Sequence, residues 1–234
     1  MIEFVPLSEE GRRFSGQFSV RLGDADANGI LRLDGVARML QDIATADWDD
    51  TGSASTDTWV VRRTALRVAD GGRWPRYKER VTLTTWCGGI GAAWAERRTN
   101  IALEGQLLVE AVALWVPLDP SGHPVRIRPE FFDIYGDAIR ERKVSGRVAK
   151  PVVSPNATLR PWPLHRADLD VVGHVNNAAV WQAVSEIVTA PVSSVTVVHH
   201  GPVESGHDVT LASAPGSLWL LVDGVVQVSA EFSG

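Results

Sequence analysis

Cysteine and long apolar runs are what this 234-residue chain has least of. Its one cysteine, Cys87, excludes an intramolecular disulfide and a cysteine-based structural metal site. Because Cys87 follows Trp86 in a strand-like run, a small buried hydrophobic role is favoured over a nucleophilic one. No apolar run approaches the ~20 residues that span a bilayer, and the acidic start does not have the layout of a signal peptide. We therefore expect a cytoplasmic protein.

An excess of positive charge is also lacking. The formal net charge of −5 excludes general affinity for nucleic acid and for anionic membranes. The apolar fraction of 44% and the charged fraction of 22% are ordinary for a soluble globular protein. The length allows one large domain or two small ones. Nine tryptophans suit a wide apolar cavity as well as a packed core.

The most informative stretch runs from residue 166 to residue 186. It contains two carboxylates and a Gly-His pair, which are Asp168, Asp170, Gly173 and His174. Apolar residues then recur at helical spacing, which predicts a helix that starts near Asn177 with an Asn cap. The opening of a helix is electropositive and presents unpaired N–H groups. Titratable side chains beside such an oxyanion site indicate chemistry.

The chain contains an internal repeat. A shift of 144 residues, the separation of Asp24 from Asp168, aligns corresponding positions of two halves. The pairs are Asp24 with Asp168, Asp26 with Asp170, Gly29 with Gly173 and Asp42 with Glu186. Each half then reads as a helix followed by four strands, and Asp34 is the expected N-cap of the first helix. A long helix wrapped by an antiparallel sheet fits that order, so we predict an α+β fold of two tandem units.

Strand-like segments and turns set the expected boundaries. The predicted strands lie at 12–22, 59–68, 80–87, 92–103 and 106–118, and in the second half near 195–200, 208–213, 217–222 and 225–232. The pairs Glu104-Gly105 and Asp223-Gly224 predict tight hairpins. A stretch rich in proline and basic residues separates the halves. We expect units at 1–135 and 161–234, joined by a connector at 136–160.

The motif around His174 resembles that of a known enzyme family. The run Asp168-Leu-Asp-Val-Val-Gly-His-Val-Asn-Asn177, with Glu186 nine residues after the second Asn, is similar to the motif of hotdog-fold thioesterases. It is most similar to the fatty acyl-ACP thioesterases, whose catalytic half carries a D-x-D-x-N-x-H-V-N-N run before the central helix. The resemblance covers nearly the whole chain and implies a pseudo-dimeric double hotdog.

The two halves differ where the resemblance places the chemistry. The positions of His174, Asn176 and Asn177 are occupied in the first half by Ile30, Arg32 and Leu33. The first unit is therefore expected to shape the acyl pocket, and the second unit to hold the reactive centre.

Three positions depart from the family pattern. The Asn expected two residues before the His is Val172, and the aromatic residue expected three residues after the second Asn is Val180. The acidic residue expected on the strand after the helix falls near 201–203, where none is present, although Glu204 follows directly.

The resemblance implies a hydrolase that releases free fatty acid from acyl-acyl carrier protein, with no cofactor and no metal ion. Asp170 is the expected base or nucleophile, strengthened by partial burial beside Val171 and Val172. His174 would orient water or protonate the leaving thiolate. Asn176 would hold the loop or add a donor. The residues expected to contact the substrate are Gly173, Val175 and Asn177. The amide at the helix start near Val175 would polarise the thioester carbonyl.

Structural roles for the same residues remain open at this point. An Asp before a Gly turn is often only an Asx turn, a role favoured for Asp168 and open for Asp170. Asn177 is favoured as the helix cap. Glu186 is either a buried partner of the turn or a solvated residue.

The expected partner is acyl carrier protein, whose acidity would complement basic side chains. The candidates for that contact are Arg62, Arg63, Arg67 and the Arg and Lys residues of the connector. The same fold could instead hydrolyse acyl-CoA, or bind acyl chains with little turnover. Adjacent His199 and His200 would point to opposite faces of a strand, so no metal site is expected. Both a monomer and a homodimer remain open.

Overall fold

A computed structural model describes residues 2–7, 10–53, 58–139, 142–171, 173–188 and 190–234, except for the side chains at 137 and 138. Ten strands form one continuous antiparallel sheet, and two long helices pack against each other and against that sheet. No helix in these ranges is long and apolar enough to cross a bilayer.

The elements follow the predicted order. The first unit contains β1 (Arg13–Ser19), α1 (Leu33–Asp50), β2 (Thr58–Val68), β3 (Arg80–Ile90), β4 (Ala95–Leu103), β5 (Gln106–Leu118) and the short helix α2 (Pro129–Tyr135). The second unit contains β6 (Thr158–Pro161), α3 (Asn177–Ile187), β7 (Ser194–His199), β8 (Val209–Ala214), β9 (Ser217–Val222) and β10 (Val225–Ser233). Strand β6 starts inside the stretch that the sequence assigned to the connector.

The sheet has the same strand order in both units. The first unit runs β1-β3-β4-β5-β2, and the second runs β6-β8-β9-β10-β7 from its own edge inward. Strands β2 and β7 pair antiparallel at the centre, with Ala65 opposite Thr196. The two units thus share one sheet, and the predicted double hotdog is confirmed.

The internal repeat is also present in the turns that lead into the helices. Asp24 and Asp168 each accept the amide three residues earlier, from Arg21 at 3.3 Å and from His165 at 2.7 Å. Asp26 Oδ1 accepts the Ile30 amide at 2.8 Å, as Asp170 Oδ1 accepts the His174 amide at 3.2 Å. Gly29 and Gly173 both adopt positive φ, +74° and +83°, which suits glycine. A shared local sequence therefore folds into the same turn twice.

Apolar stripes hold the helices in place. Val36 and Ile43 of α1 and Val184 of α3 are each 0% exposed and belong to one core cluster. Burying a side chain of this size contributes roughly 1.5–3 kcal/mol. The core is therefore continuous across both units.

The expected N-cap of α1 is wrong. The cap position is Arg32, and Asp34 is the second helical residue, 1% exposed. Asp34 binds Arg32 at 2.9 Å and Arg38 at 2.9 Å. Burial alone would raise the pKa of Asp34, but hydrogen bonds from the two guanidinium groups outweigh it and lower that pKa. The capping preference of Asp is overridden by a buried ion pair.

Both predicted hairpins are confirmed. Leu103 pairs with Gln106 across Glu104-Gly105, and Val222 pairs with Val225 across Asp223-Gly224. All four turn residues have positive φ, as a two-residue turn of this kind requires.

Cys87 is a buried structural residue, as expected. It is 4% exposed, and burial raises the pKa of its thiol to about 11. Such a thiol stays protonated at neutral pH and is a poor nucleophile.

Candidate functional site

Asp170 and His174 meet in the turn before α3. The Asp170 amide donates to the His174 carbonyl at 2.8 Å, and the His174 amide donates to Asp170 Oδ1 at 3.2 Å. The His174 side chain is 53% exposed. The two predicted residues therefore lie in direct contact, and the imidazole can be reached from outside.

Glu204 completes this cluster. His174 and Glu204 form an antiparallel bridge, and His174 Nε2 lies 3.7 Å from Glu204 Oε1. The sequence had suggested that the carboxylate after the helix was missing near 201–203. In the structure, the segment after β7 instead places the Glu204 carboxylate beside the His174 imidazole. The only sequence signal was the nearness of Glu204 to the expected position.

The start of α3 differs from the prediction in its cap. The N-cap is Asn176, whose side-chain oxygen accepts the Ala178 amide at 2.8 Å, and Asn177 is the first helical residue. The expected capping role of Asn177 is therefore wrong. The Asn176 amide donates to the Asp168 carbonyl at 2.7 Å, which ties the acidic turn to the helix.

The Val175 amide is already engaged. It donates to the Val203 carbonyl at 3.0 Å and is thus unsuited to polarise a substrate carbonyl. First-turn amides have no acceptor within their own helix. Within the described ranges the Asn177 amide has none elsewhere either, which makes it the candidate oxyanion donor.

Several neighbours of the turn have roles that the sequence left open or misjudged. Val171 is fully exposed, so the expected shielding of Asp170 by Val171 is wrong, and Val172 lies outside the described residues. Asp168 holds the turn through its bond to the His165 amide. The Glu186 side chain is 59% exposed, with Arg160 at 3.9 Å, and is not a buried partner of the turn.

A cavity whose lining includes Asn177, at the opening of α3, adjoins a second, larger cavity. The smaller, about 30 Å³, is enclosed by α1, α3 and the central strands. Its lining includes Leu40, Gln41, Thr64, Trp115, Asn177, Trp181 and His199. The larger, about 250 Å³, is lined by first-unit residues, among them Trp48, Trp59, Cys87, Trp115 and Phe131. Arg97 and Trp115 line both, so the two spaces adjoin.

Arg97, which lines the larger cavity, belongs to a buried ionic cluster. Asp47, 1% exposed, binds Arg97 at 2.7 Å and Arg12 at 2.8 Å, and accepts from the Tyr135 hydroxyl at 2.7 Å. Burial raises the pKa of Tyr135 to about 12, so its hydroxyl remains a donor. The cluster balances the Arg97 charge beside the aromatic wall.

The corresponding opening in the first unit is filled. Arg32 occupies the position in the first unit that is equivalent to Asn176. Its guanidinium group donates to the Ala25 carbonyl at 3.1 Å and to the Gly23 carbonyl at 2.8 Å. Arg38 bridges Asp24 and Asp34. Guanidinium groups thus occupy the acidic turn where the second unit presents its imidazole.

His199 gives folding stability a predictable dependence on pH. The ring is 9% exposed, and burial, with nearby Arg62 and His200, lowers the pKa of His199 from 6.5 to about 4. Between these two pH values the His199 ring is protonated in the unfolded chain and neutral in the folded chain. The free energy of unfolding therefore falls as the pH drops from about 6.5 towards 4. The expected loss approaches roughly 3 kcal/mol.

Urea unfolding between pH 7.5 and 4.5 would measure this loss. His199→Leu should flatten the pH dependence, whereas His123→Gln, which alters a side chain 78% exposed, should leave it as in wild type. An unchanged slope in His199→Leu would contradict the assignment.

The basic residues proposed for partner contact have mixed surroundings. Arg62 donates to the His199 carbonyl, Arg67 binds Glu110 at 2.6 Å, and Arg63 is half-buried. Arg62 and Arg67 are thus engaged by other groups of the chain, although the Arg67 side chain is still 45% exposed. Several cations around the connector are exposed instead: Arg126, Lys143, Arg147 and Lys150.

Comparison with known proteins gives a consistent picture. The family model described as "Acyl-ACP thioesterase N-terminal domain" matches residues 11–135. An uncharacterized protein of Mycobacterium tuberculosis is 27% identical over 196 residues, 80% of this chain and 77% of the relative. The chloroplastic oleoyl-acyl carrier protein thioesterase of Coriandrum sativum is 23% identical over 201 residues, 74% of this chain and 53% of that protein.

Solved structures show the same fold. A putative oleoyl thioesterase from Lactobacillus plantarum superimposes with a TM-score of 0.82 at 20% identity, covering 96% of each chain. The 12:0-ACP thioesterase from Umbellularia californica gives 0.79 at 18% identity, covering 97% of this chain and 98% of that one.

Proposed function

Because the chain belongs to the acyl-ACP thioesterase family, we propose that it hydrolyses a fatty acyl thioester of acyl carrier protein and releases the free acid. The observation that carries this proposal is the cluster at the opening of α3. There Asp170 and His174 share a turn, and Glu204 lies 3.7 Å from the imidazole. Asn177, three residues after His174, lines the smaller cavity.

The proposed reaction is a water attack. Asp170, with His174 assisting, takes a proton from water, and the resulting hydroxide oxygen bonds to the thioester carbonyl carbon. The carbon–sulfur bond then breaks, the proton passes from Asp170 to His174, and His174 gives it to the leaving thiolate. Glu204, whose Oε1 lies 3.7 Å from Nε2, would attract the protonated imidazole and help to orient it, the role that a carboxylate has beside a catalytic histidine.

The carbonyl oxygen gains negative charge during the attack. The Asn177 amide, at the positive end of α3, is the donor that we assign to it. Asn176 keeps that amide in place by capping the helix and tying it to the acidic turn.

The two units would have different roles in the reaction. The first unit, 1–135, would hold the acyl chain, since every residue given above for the larger cavity belongs to it. The second unit, 161–234, would supply the reacting groups, and the connector, 136–160, would lie between them. The filled opening of the first unit supports this division.

The carrier is proposed from charge. Exposed cations around the connector would attract the acidic carrier protein, and such steering mainly raises the association rate. The same cations would also face the phosphates of CoA, so acyl-CoA is the second candidate substrate.

A paired assay tests the function and the carrier. The same acyl chain would be presented on acyl carrier protein and on CoA, and kcat/KM measured for each. We expect the carrier-protein substrate to be favoured, and charge reversal of Arg147 and Lys150 to raise its KM without affecting a small acyl thioester. Equal rates on both would support acyl-CoA as substrate, and the absence of hydrolysis would support an acyl-binding module.

A further inference from the structure

The small cavity next to the helix opening contains polar atoms that have no partner. Trp115 Nε1 and His199 Nε2 are buried without a hydrogen bond to any described residue. Both side chains line the cavity of about 30 Å³, and His199 is only 9% exposed. Buried polar atoms in folded proteins nearly always have a partner, so two such atoms on side chains that line one space require an explanation.

The chemistry of the two atoms defines what would satisfy them. An indole N–H only donates, so Trp115 requires an acceptor. With its pKa near 4, the His199 ring is neutral at neutral pH, and Nε2 either donates or accepts according to its tautomer. A hydroxyl oxygen accepts from Trp115 while its hydrogen donates to His199. A keto oxygen accepts from both.

The position of the cavity relates these atoms to the acyl chain. Asn177, whose amide we assign to the thioester oxygen, lines the same cavity. Trp115 also lines the larger aromatic cavity, so a chain that extends from the thioester into that cavity would pass both atoms. A plain hydrocarbon there would leave them unpaired in a dry environment, which is unfavourable.

We propose that the acyl group hydrolysed by this protein carries a hydroxyl or keto oxygen part-way along its chain, held by Trp115 Nε1 and His199 Nε2. This inference rests on the proposed function. Thr64 and Gln41 in the same lining add further polar surface, whereas most residues that line the larger cavity are apolar or aromatic, with Glu96 and Arg97 among them. The order expected along the substrate is thioester, oxygenated carbon, apolar tail.

The experiment compares matched thioesters on the full-length chain. Octanoyl, dodecanoyl and hexadecanoyl thioesters would be tested plain and with one hydroxyl or keto group moved along the chain. We expect one position to raise kcat/KM by about 10- to 100-fold over the plain chain, the cost of leaving a buried polar group without its hydrogen bond.

Trp115→Phe should reduce that preference to about two-fold or less, because it keeps the ring and removes only the N–H donor. The matched control is Trp94→Phe, which deletes an indole N–H that donates to the Val144 carbonyl outside both cavities. It should retain the wild-type preference.

Each outcome is decisive. Plain chains hydrolysed as well as every oxygenated chain would overturn the inference and leave the proposed function intact. Equal loss of preference in both tryptophan variants would overturn the assignment to Trp115. If no thioester is hydrolysed, the proposed function fails. Calorimetry would then compare the Kd values of hydroxylated and plain fatty acids, and the inference would require the same preference of about 10- to 100-fold for the hydroxylated acid.

Discussion

Replacing His174 with alanine is expected to lower kcat for thioester hydrolysis by about 10²–10⁴-fold, the contribution typical of a general acid–base group. Because the side chain is 53% exposed, the free energy of unfolding should stay within about 0.5 kcal/mol of wild type. Steady-state kinetics and urea unfolding on the same preparation separate the two effects. A variant that keeps wild-type turnover would remove His174 from the proposed site.

The internal repeat provides a matched control for Asp170. Asp170→Asn and Asp26→Asn change equivalent turns, in which each Oδ1 accepts the amide four residues later. We expect similar effects of the two variants on stability. Only Asp170→Asn should lower kcat, by about 10²-fold or more, since only that turn faces a histidine. Equal kinetics in the two variants would assign Asp170 to the turn alone and leave His174 and Glu204 to handle the proton.

Asp47→Asn should cost the fold about 3–5 kcal/mol, because it leaves the Arg97 charge uncompensated in the interior. Asp47 is 1% exposed and binds Arg97, Arg12 and Tyr135, and the Arg97 side chain is 16% exposed. Urea unfolding would measure the change. The amide is nearly the same size as the carboxylate, so the loss would reflect charge rather than a cavity.

Asp50→Asn is the control for this variant. Asp50 also binds Arg12, at 2.7 Å, but its side chain is 57% exposed. An exposed pair of this kind contributes at most about 1 kcal/mol. If the two variants lost equal stability, the interior location of Asp47 would have no special importance.

Local patterns predicted most of the elements. The four strands after α1 start within three residues of their predicted positions, because alternation and turn residues act over a few neighbours. Strand β6 was missed because it has only four residues, all exposed, and its pairing with β8 involves residues far along the chain.

The errors arose where side-chain contacts in the folded chain, or their absence, decide a role that the residue type alone suggested differently. Asp34 has the sequence signature of a cap but lies inside α1, because Arg32 and Arg38 neutralise it there. Val171 was expected to shield Asp170, and no other element covers it.

The sequence by itself determined the order of helix and strands and the turn that contains Asp170 and His174, since each depends on residues within about ten positions of one another. It also determined the duplication, because two such local patterns recur 144 residues apart. Only the tertiary structure placed Glu204 on His174, the ionic cluster of Asp47 beside the aromatic cavity, and the unpaired atoms of Trp115 and His199 in one small space. Those arrangements join residues from separate elements, and for Trp115 and His199 from both units, so their positions depend on how the helices pack on a shared sheet.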